Sequence, residues 1–327
     1  MLDGSCGRAA LQVQETKVLV FGDIMLDQYM IGKATRLCPE APVPVVIIER
    51  TEWKLGGAGN IAANLKALGA EVVLMGLIGS DGEGEKIRQL AMEQGISFIA
   101  LEGKGRATTV KQRIMVQGRL LLRIDREDTD DMESSLRRAF MNKMAAIEDV
   151  AAVVISDYGK GAVHEELTGY LANHYGRKAI PLYVDPKGDN YGKYFGADVI
   201  KPNFSELEQV YRKPIKGLDD LQKAAGMVFE AAACKKCIVT WGENGAILFH
   251  SPTDWVHIPA VVTPNPVDVT GAGDVFLASY VYGKLAGLTD MKACRMANRL
   301  AAYSVSKTGT GTVTRDDWTA IGKEEGF

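Results

Sequence analysis

This 327-residue chain is short of almost every feature that would send it to a membrane, a secretory route or a nucleic acid. Its first sixteen residues, MLDGSCGRAALQVQET, include an early Asp3 and no long apolar stretch, so they do not read as a secretory signal. No apolar run approaches the roughly 18 residues of a membrane span. The longest runs, such as EVVLMGLIG, have the length of a buried strand. Net charge is only −3, which gives no whole-chain basic field for nucleic acid or anionic lipid, so an anionic ligand needs a local site. The five cysteines, Cys6, Cys38, Cys234, Cys237 and Cys294, are odd in number and scattered, unlike a disulfide framework. Cys234 and Cys237 form one C-x-x-C, but no second pair completes a structural zinc site. The pair also follows an Ala-rich helix instead of opening one, as a redox pair would, so a packing role is expected. There is no repeat, low-complexity segment or composition shift. A cytoplasmic, enzyme-sized protein is expected, with no nucleic-acid or membrane partner.

What is present is alternation. KVLVFGD (17–23), EVVLMGLIG (71–79), VAAVVISD (150–157), IPLYVDP (180–186), ADVIKP (197–202) and KCIVTWG (236–242) read as buried strands. Helical patterns separate them. NIAANLKALGA (60–70) puts Ile61, Leu65 and Leu68 on one face, and EGEKIRQLAMEQG ends at Gly95. Two further helices, about 273–287 and 290–306, close the chain. This order predicts an α/β fold, a mostly parallel central sheet with helices on both faces. Two stretches break the rhythm. Residues 24–50 carry three prolines and many β-branched residues, which suit extended edge strands. Residues 106–125 hold two strand-like runs around Gln117-Gly118, a hairpin signal. Both lack a crossover helix, so a small separate sheet is expected, able to cover a ligand or pair with a second subunit. The expected organisation is a tail over 1–16 and a single domain over 17–327 whose lid segments are about 24–50 and 106–125.

The chemistry concentrates in DVTGAGDVF (268–276), just ahead of an apolar helical pattern. Gly271, Ala272 and Gly273 fall at a helix N-terminus, where free N–H groups and the dipole favour an anion that small residues let come close. Asp274 falls in the first turn beside that anion. A carboxylate there is either a general base for a hydroxyl attacking a phosphate or a residue that merely favours the helix dipole. Other motifs fail. There is no P-loop G-x-x-x-x-G-K-[ST]. The dinucleotide fingerprint wants a glycine where Phe276 stands. HEELT (164–168) lacks the second His of a zinc protease. A second glycine cluster, LGGAGNIAANLKALGA (55–70), offers Gly56 and Gly57 for close backbone approach and Asn60 for hydrogen bonding. That suits a polyhydroxy ligand, or else a loop glycine pair with an N-cap Asn.

Taken together, GGAGNIAANLKALGA and DVTGAGD resemble the two signatures of the ribokinase-like (PfkB) carbohydrate kinases, and the likeness runs over roughly 17–315. The resemblance implies Asp274 as catalytic base, with Gly271, Ala272 and Gly273 as the anion hole for the transferring phosphoryl group. It implies Asp27 with Gly56, Gly57 and Asn60 as the sugar cradle. Asn203 and Glu206, in NFSE, match the N-x-x-E motif that orders Mg²⁺, through water, and the nucleotide phosphates. Thr240 and Gly242 match the nucleotide-side turn, and Asn298 is placed near adenine. ATP is the implied co-substrate, Mg²⁺ the cofactor, and a homodimer through the lid the implied assembly; a monovalent-cation requirement is left open.

GDIMLDQY, RLCPEAPVPVV, LLRIDRED, SDYGKG and VDPKG further resemble the D-glycero-D-manno-heptose 7-phosphate kinases within that family. A sugar that already carries a phosphate needs cations at the sugar end. Lys160 and Lys187, each just after a strand C-terminus, are expected to hold that phosphate. Asp157 and Asp185 would bind sugar hydroxyls or orient those lysines, and Arg123 or Lys111 on the lid would add charge. A PfkB kinase for another sugar or sugar phosphate, and a non-catalytic sugar-sensing scaffold, are the alternatives. The sequence has Cys38, Gly59 and Val275-Phe276 where the resembling proteins usually carry Ser, Ala and a more polar pair. Some of them add a nucleotidyltransferase domain after the kinase; the residues here, ending in DDWTAIGKEEGF, are expected to span the kinase part alone.

Overall fold

The strand β1 (Lys17–Gly22) sets the architecture, because it is apolar on both sides. Val18 and Val20 point into one hydrophobic cluster, Leu19 and Phe21 into another, and all four are fully buried. A strand of this kind must be covered on both faces. The structure is a computed structural model describing residues 16–261, 269–306 and 311–325. In it β1 pairs in parallel with β4 (Glu71–Gly79) on one side and β8 (Val150–Ser156) on the other. β5 (Ser97–Gly103) extends the sheet beyond β4. β9 (Leu182–Asp185), β10 (Val199–Ile200) and β11 (Lys236–Thr240) extend it beyond β8, all parallel. Then β12 (Ala246–Phe249) and β13 (Trp255–Ile258) turn back as an antiparallel meander, giving the order β13-β12-β11-β10-β9-β8-β1-β4-β5.

The helices divide between the two faces. Helices α1 (Ala58–Leu68), α2 (Gly82–Glu93), α7 (Ala272–Leu285), α8 (Asp290–Ser304) and α9 (Arg315–Glu324) pack with Val18 and Val20. Helices α3 (Ser134–Ala145), α4 (Glu165–Gly176), α5 (Phe204–Tyr211) and α6 (Leu218–Ala232) pack with Leu19 and Phe21. The expected α/β fold is present. β5, β12 and β13 are additions that the alternation did not mark: β12 and β13 have four residues each, and AILF in β12 is an apolar run without periodicity. Among the described residues no helix is long and apolar enough to cross a membrane.

A second, four-stranded sheet has the order β3-β2-β6-β7, from β2 (Ile24–Leu37), β3 (Pro44–Gly57), β6 (Val110–Val116) and β7 (Arg119–Arg126). Gln117 and Gly118 both take positive φ, 50° and 76°, as a two-residue hairpin turn between β6 and β7 requires. The registers sort its side chains into two faces. One face carries Asp27, Lys54, Lys111, Arg113, Arg123 and Asp125. The other carries Gln28, Trp53, Gln112, Ile114, Leu122 and Ile124.

Asp23, just past β1, fixes the loop that follows β8. Its buried carboxylate accepts from the backbone N–H groups of Tyr158 (2.7 Å), Lys160 (3.0 Å) and Ala162 (3.0 Å). Losing the acceptor would leave buried N–H donors unpaired, at about 1–3 kcal/mol each. The sequence reading passed over Asp23.

The C-x-x-C pair is packing, as expected. Both cysteines are buried, and burial pushes the Cys234 thiol up to about 12 and the Cys237 thiol well upward, which suppresses the reactive thiolate. His164, the first residue of HEELT, caps α4 by accepting from the Glu166 N–H at 3.2 Å.

Candidate active site

The parallel strands deliver their C-terminal ends to one edge of the main sheet. Asp23, Asp157, Asp185, Lys201 and Thr240 follow or end β1, β8, β9, β10 and β11 in turn. In open α/β sheets this is the edge where ligands bind. A cleft of about 940 Å³ opens there, lined from Asp157 and Tyr158 past Lys201, Asn203 and Glu206 to Asn298 and Val305.

Helix α7 reaches this edge with its N-terminus. Gly271 takes the left-handed conformation, φ 79°, as the cap residue. The first helical bond runs from the Val275 N–H to the Gly271 carbonyl at 3.0 Å, so the Gly273 and Asp274 N–H groups lie ahead of it. The Ala272 N–H is engaged by the Val269 carbonyl at 3.3 Å, which removes one of the three amides expected to face an anion. Ala272 and Gly273 line the cleft. A Cβ on Gly273 would come 3.5 Å from the Lys201 ammonium, so that buried cation stands beside the helix end.

Asp274 is buried, and its two oxygens have separate donors. The Asn60 amide donates to Oδ2 at 2.7 Å and the Tyr158 hydroxyl donates to Oδ1 at 2.8 Å. Packing of α1 against α7 brings Asn60 across 214 residues to meet it. Asn60 is therefore inside α1, not its cap; Gly57 is the cap residue. The polarity of the Asn60 amide is fixed by a chain of donors. The Val313 N–H can only donate, and it donates to Asn64 Oδ1 at 3.0 Å. Asn64 Nδ2 then donates to Asn60 Oδ1 at 3.1 Å, which turns the Asn60 NH₂ towards Asp274.

Three other carboxylates lining the cleft, Asp157, Asp185 and Glu206, each have a cation. Asp157 is held by Lys193, with further bonds from Tyr194 and the Gly159 N–H. Asp185 pairs with Lys201 at 3.0 Å, and Glu206 with Lys187 at 3.1 Å. Asp274 makes no ion pair among the described residues. Burial, and then the nearby Asp185 charge, push its carboxyl up to about 7, only partly offset by Asn60, Tyr158 and Lys201. Asp274 can therefore exchange a proton near neutrality.

At the nucleotide-side end, Asn203 caps α5 by a reciprocal box with Glu206: the Asn203 side chain accepts from the Glu206 N–H, and Glu206 Oε2 from the Asn203 N–H. Thr240 bridges to Asn203, and Gly242 opens the turn into β12. Asn298 lines the same cleft, its amide donating to the Pro259 carbonyl at 2.8 Å.

At the other end, Asp27 is buried and paired with buried Arg113 at 2.6 Å. Burial raises the Asp27 carboxyl, while Arg113, Lys111 and Lys54 pull it back. Gly56 and Gly57 are required here: a Cβ on Gly56 would lie 2.6 Å from Asp27 Oδ2, and Gly57 has φ 58° with its Cβ position 2.4 Å from the Asp23 carbonyl. Gly59, usually Ala in the resembling proteins, would put a Cβ 2.9 Å from that of Leu55.

The two lysines expected to act together have different partners. Lys187 lies in the cleft with Glu206, towards the nucleotide-side residues. Lys160 Nζ instead bonds Glu127 Oε1 at 2.8 Å, and the other oxygen of Glu127 lies 3.7 Å from Lys111. Asp157 and Asp185 orient Lys193 and Lys201, not Lys160 and Lys187, because those are the cations their strand ends face. Arg123 is half exposed and bonds Asp125 at 2.9 Å. Asp268 lies outside the described residues. Sequence reading missed Arg113, Tyr158, Lys193 and Lys201. Only Tyr158 and Lys201 carried a signal, since each sits one or two residues past a strand end next to a motif residue.

Comparison with known proteins decides the family. The profile described as pfkB family carbohydrate kinase matches residues 15–317. The chain belongs to the PfkB carbohydrate kinases. The "Bifunctional protein HldE" of Trichlorobacter lovleyi is 37% identical over 300 residues, covering 91% of this chain and 61% of that protein. The protein of the same name from Helicobacter pylori is 36% identical over 303 residues, 92% and 65% of the two chains. The chain thus spans just over six-tenths of the length of these curated relatives. Among solved structures, phosphofructokinase-2 from Escherichia coli in complex with potassium superposes with a TM-score of 0.79 at 19% identity, covering 96% of this chain and 99% of that one. Arabidopsis thaliana ribokinase complexed with ribose and ATP gives 0.70 at 17% identity, covering 94% and 98%. These two likenesses speak for the PfkB kinase fold.

The elevated Asp274 carboxyl has a consequence for stability. An acid whose folded-state pKa stands above its unfolded value favours folding only while protonated. That contribution is complete below about pH 4 and is lost as pH rises to about 7. Asp274→Asn keeps the site neutral, its oxygen accepting from Asn60 and its NH₂ donating to the Tyr158 oxygen. In urea unfolding the variant should match the parent near pH 4 and exceed it above pH 7, by on the order of 4 kcal/mol. A variant less stable than the parent at pH 8 would contradict the raised pKa.

Proposed function

We propose that this kinase transfers the γ-phosphoryl group of ATP to the anomeric hydroxyl of D-glycero-D-manno-heptose 7-phosphate, giving the 1,7-bisphosphate. The observation that carries the transfer step is Asp274, a buried carboxylate with neutral partners at the N-terminus of α7. The sugar hydroxyl oxygen forms a bond to the γ-phosphorus while the bond from that phosphorus to the ADP oxygen breaks. The hydroxyl proton passes to Asp274. The Gly273 and Asp274 N–H groups and Lys201 stabilise charge on the phosphoryl oxygens. Asn203, Glu206, Thr240, Gly242 and Asn298 hold the nucleotide. Both Glu206 oxygens are already engaged, by Lys187 and the Asn203 N–H, which fits Glu206 holding Mg²⁺ through water rather than directly. When bound, Mg²⁺ supplies neutralisation of phosphate charge.

The heptose phosphate assignment rests on the HldE relatives and on the charge around the sugar end. Lys160 from the main domain and Lys111 from the small sheet share one Glu127 carboxylate. We assign these two cations to the substrate phosphate, which takes the place of Glu127 between them. Asp27, with Gly56, Gly57 and Asn60, binds the sugar hydroxyls. The small sheet then acts as a lid whose charged face meets the sugar. Its opposite face leaves Leu122 and Ile124 about half exposed on the edge strand β7, with Leu120 and Leu121 beside them. An apolar edge strand of this kind calls for a partner, and we assign it to a second copy of the chain.

Phosphate transfer across a panel of sugars and sugar phosphates tests the assignment. Asp274→Asn should lose about 10²–10⁴-fold in kcat while still binding ATP and sugar, as expected for a general base. Lys160→Met should raise KM for the heptose phosphate about 10-fold or more with little change in kcat. Near-normal turnover by Asp274→Asn, or preference for an unphosphorylated sugar, would overturn the proposal. For the assembly, sedimentation of Leu122→Asp/Ile124→Asp should show a monomer where the parent is a dimer; a parent that sediments as a monomer would contradict it.

A further inference from the structure

The proposed base has a second donor that lies outside the two glycine-rich signatures. Tyr158 stands in the loop after β8, and its side chain is rigidly aimed. The backbone N–H of Tyr158 is fixed to Asp23, as are those of Lys160 and Ala162. Asp157, immediately before it, is locked by Lys193 and Tyr194. From this clamped loop the phenol reaches across the cleft floor to Asp274 Oδ1 at 2.8 Å. We propose that Tyr158 is a positioning residue for the Asp274 carboxylate, its hydroxyl holding Oδ1 so that the charged form is favoured and its free lone pairs face the acceptor hydroxyl. This rests on the reading of Asp274 as base.

The groups around Asp274 show why such a donor is needed. Asp185, at the end of β9, repels the Asp274 charge. Lys201, at the end of β10, attracts it but is committed to Asp185. Asn60 on α1 donates to the other oxygen. Asp27, on β2, contributes negative potential at Tyr158 itself. Burial and the surrounding carboxylates raise the Tyr158 phenol well above its usual range, so it stays protonated and remains a donor throughout the working pH range. A hydrogen bond from a neutral hydroxyl stabilises the carboxylate without neutralising it, whereas an ammonium in that place would make Asp274 a poor base.

Tyr158→Phe keeps the ring and removes the donor. The acid limb of kcat/KM against pH should move upward by about one unit, with activity returning to within a few-fold of the parent at pH 9. Site-specific 3-fluorotyrosine at position 158, a stronger donor of nearly the same shape, should move the limb the other way, and this arm stands even if the Phe variant folds poorly. A limb unmoved by both substitutions, or a loss of equal size at every pH, would overturn the proposal. Asp274→Asn measured in parallel separates the two readings. If it is inactive while the limb stays fixed, only the role of Tyr158 fails; if it is active, the base assignment fails.

Discussion

One constraint organises this molecule: a carboxylate is buried at the cleft floor without a cation. Burying a lone charge is costly, and proteins generally resolve the cost by pairing or by protonation. Here Asp157, Asp185 and Glu206 take the first route, through Lys193, Lys201 and Lys187. Asp274 takes neither fully. It is held by two neutral donors, Asn60 and Tyr158, and lies near the point where it gains and loses a proton at neutral pH. The fold serves that balance. Packing of α1 on α7 supplies Asn60, the Val313–Asn64 chain fixes its direction, and Asp23 clamps the loop that supplies Tyr158.

The same economy appears at the sugar end. Lys160 and Lys111 come from different sheets and meet on Glu127. In the proposed reading a substrate phosphate takes the place of this carboxylate between the two cations. Exchanging one for the other leaves no lysine unpaired, so binding would not have to offset the cost of keeping two desolvated cations apart in the free enzyme. The link also ties the small sheet to the loop that carries Tyr158, two residues from Lys160.

Much of this was legible in the chain. Alternating buried strands and amphipathic helices gave the α/β class, because a two-sided apolar strand such as KVLVFG can only sit inside a covered sheet. Gly271–Asp274 stood out because a helix N-terminus stripped of side chains has few other uses. The antiparallel β12 and β13 were not legible, since four residues are too few to show a period. Pairings between distant residues were also hidden. Arg113 on Asp27, Lys193 on Asp157 and Lys201 on Asp185 span 86, 36 and 16 positions, and nothing local marks them. For the same reason Lys160 and Lys187 looked like a pair from their matching positions after strand ends, although each is paired with a different acid, Glu127 and Glu206.

The central claim is that the Asp274 carboxyl titrates near neutrality in the ligand-free protein. The most direct measurement is a ¹³C NMR titration of aspartate side-chain carboxyls, with Asp274→Asn used to assign the resonance. The account predicts a midpoint near 7. A midpoint in the ordinary aspartate range, near 4, would contradict it.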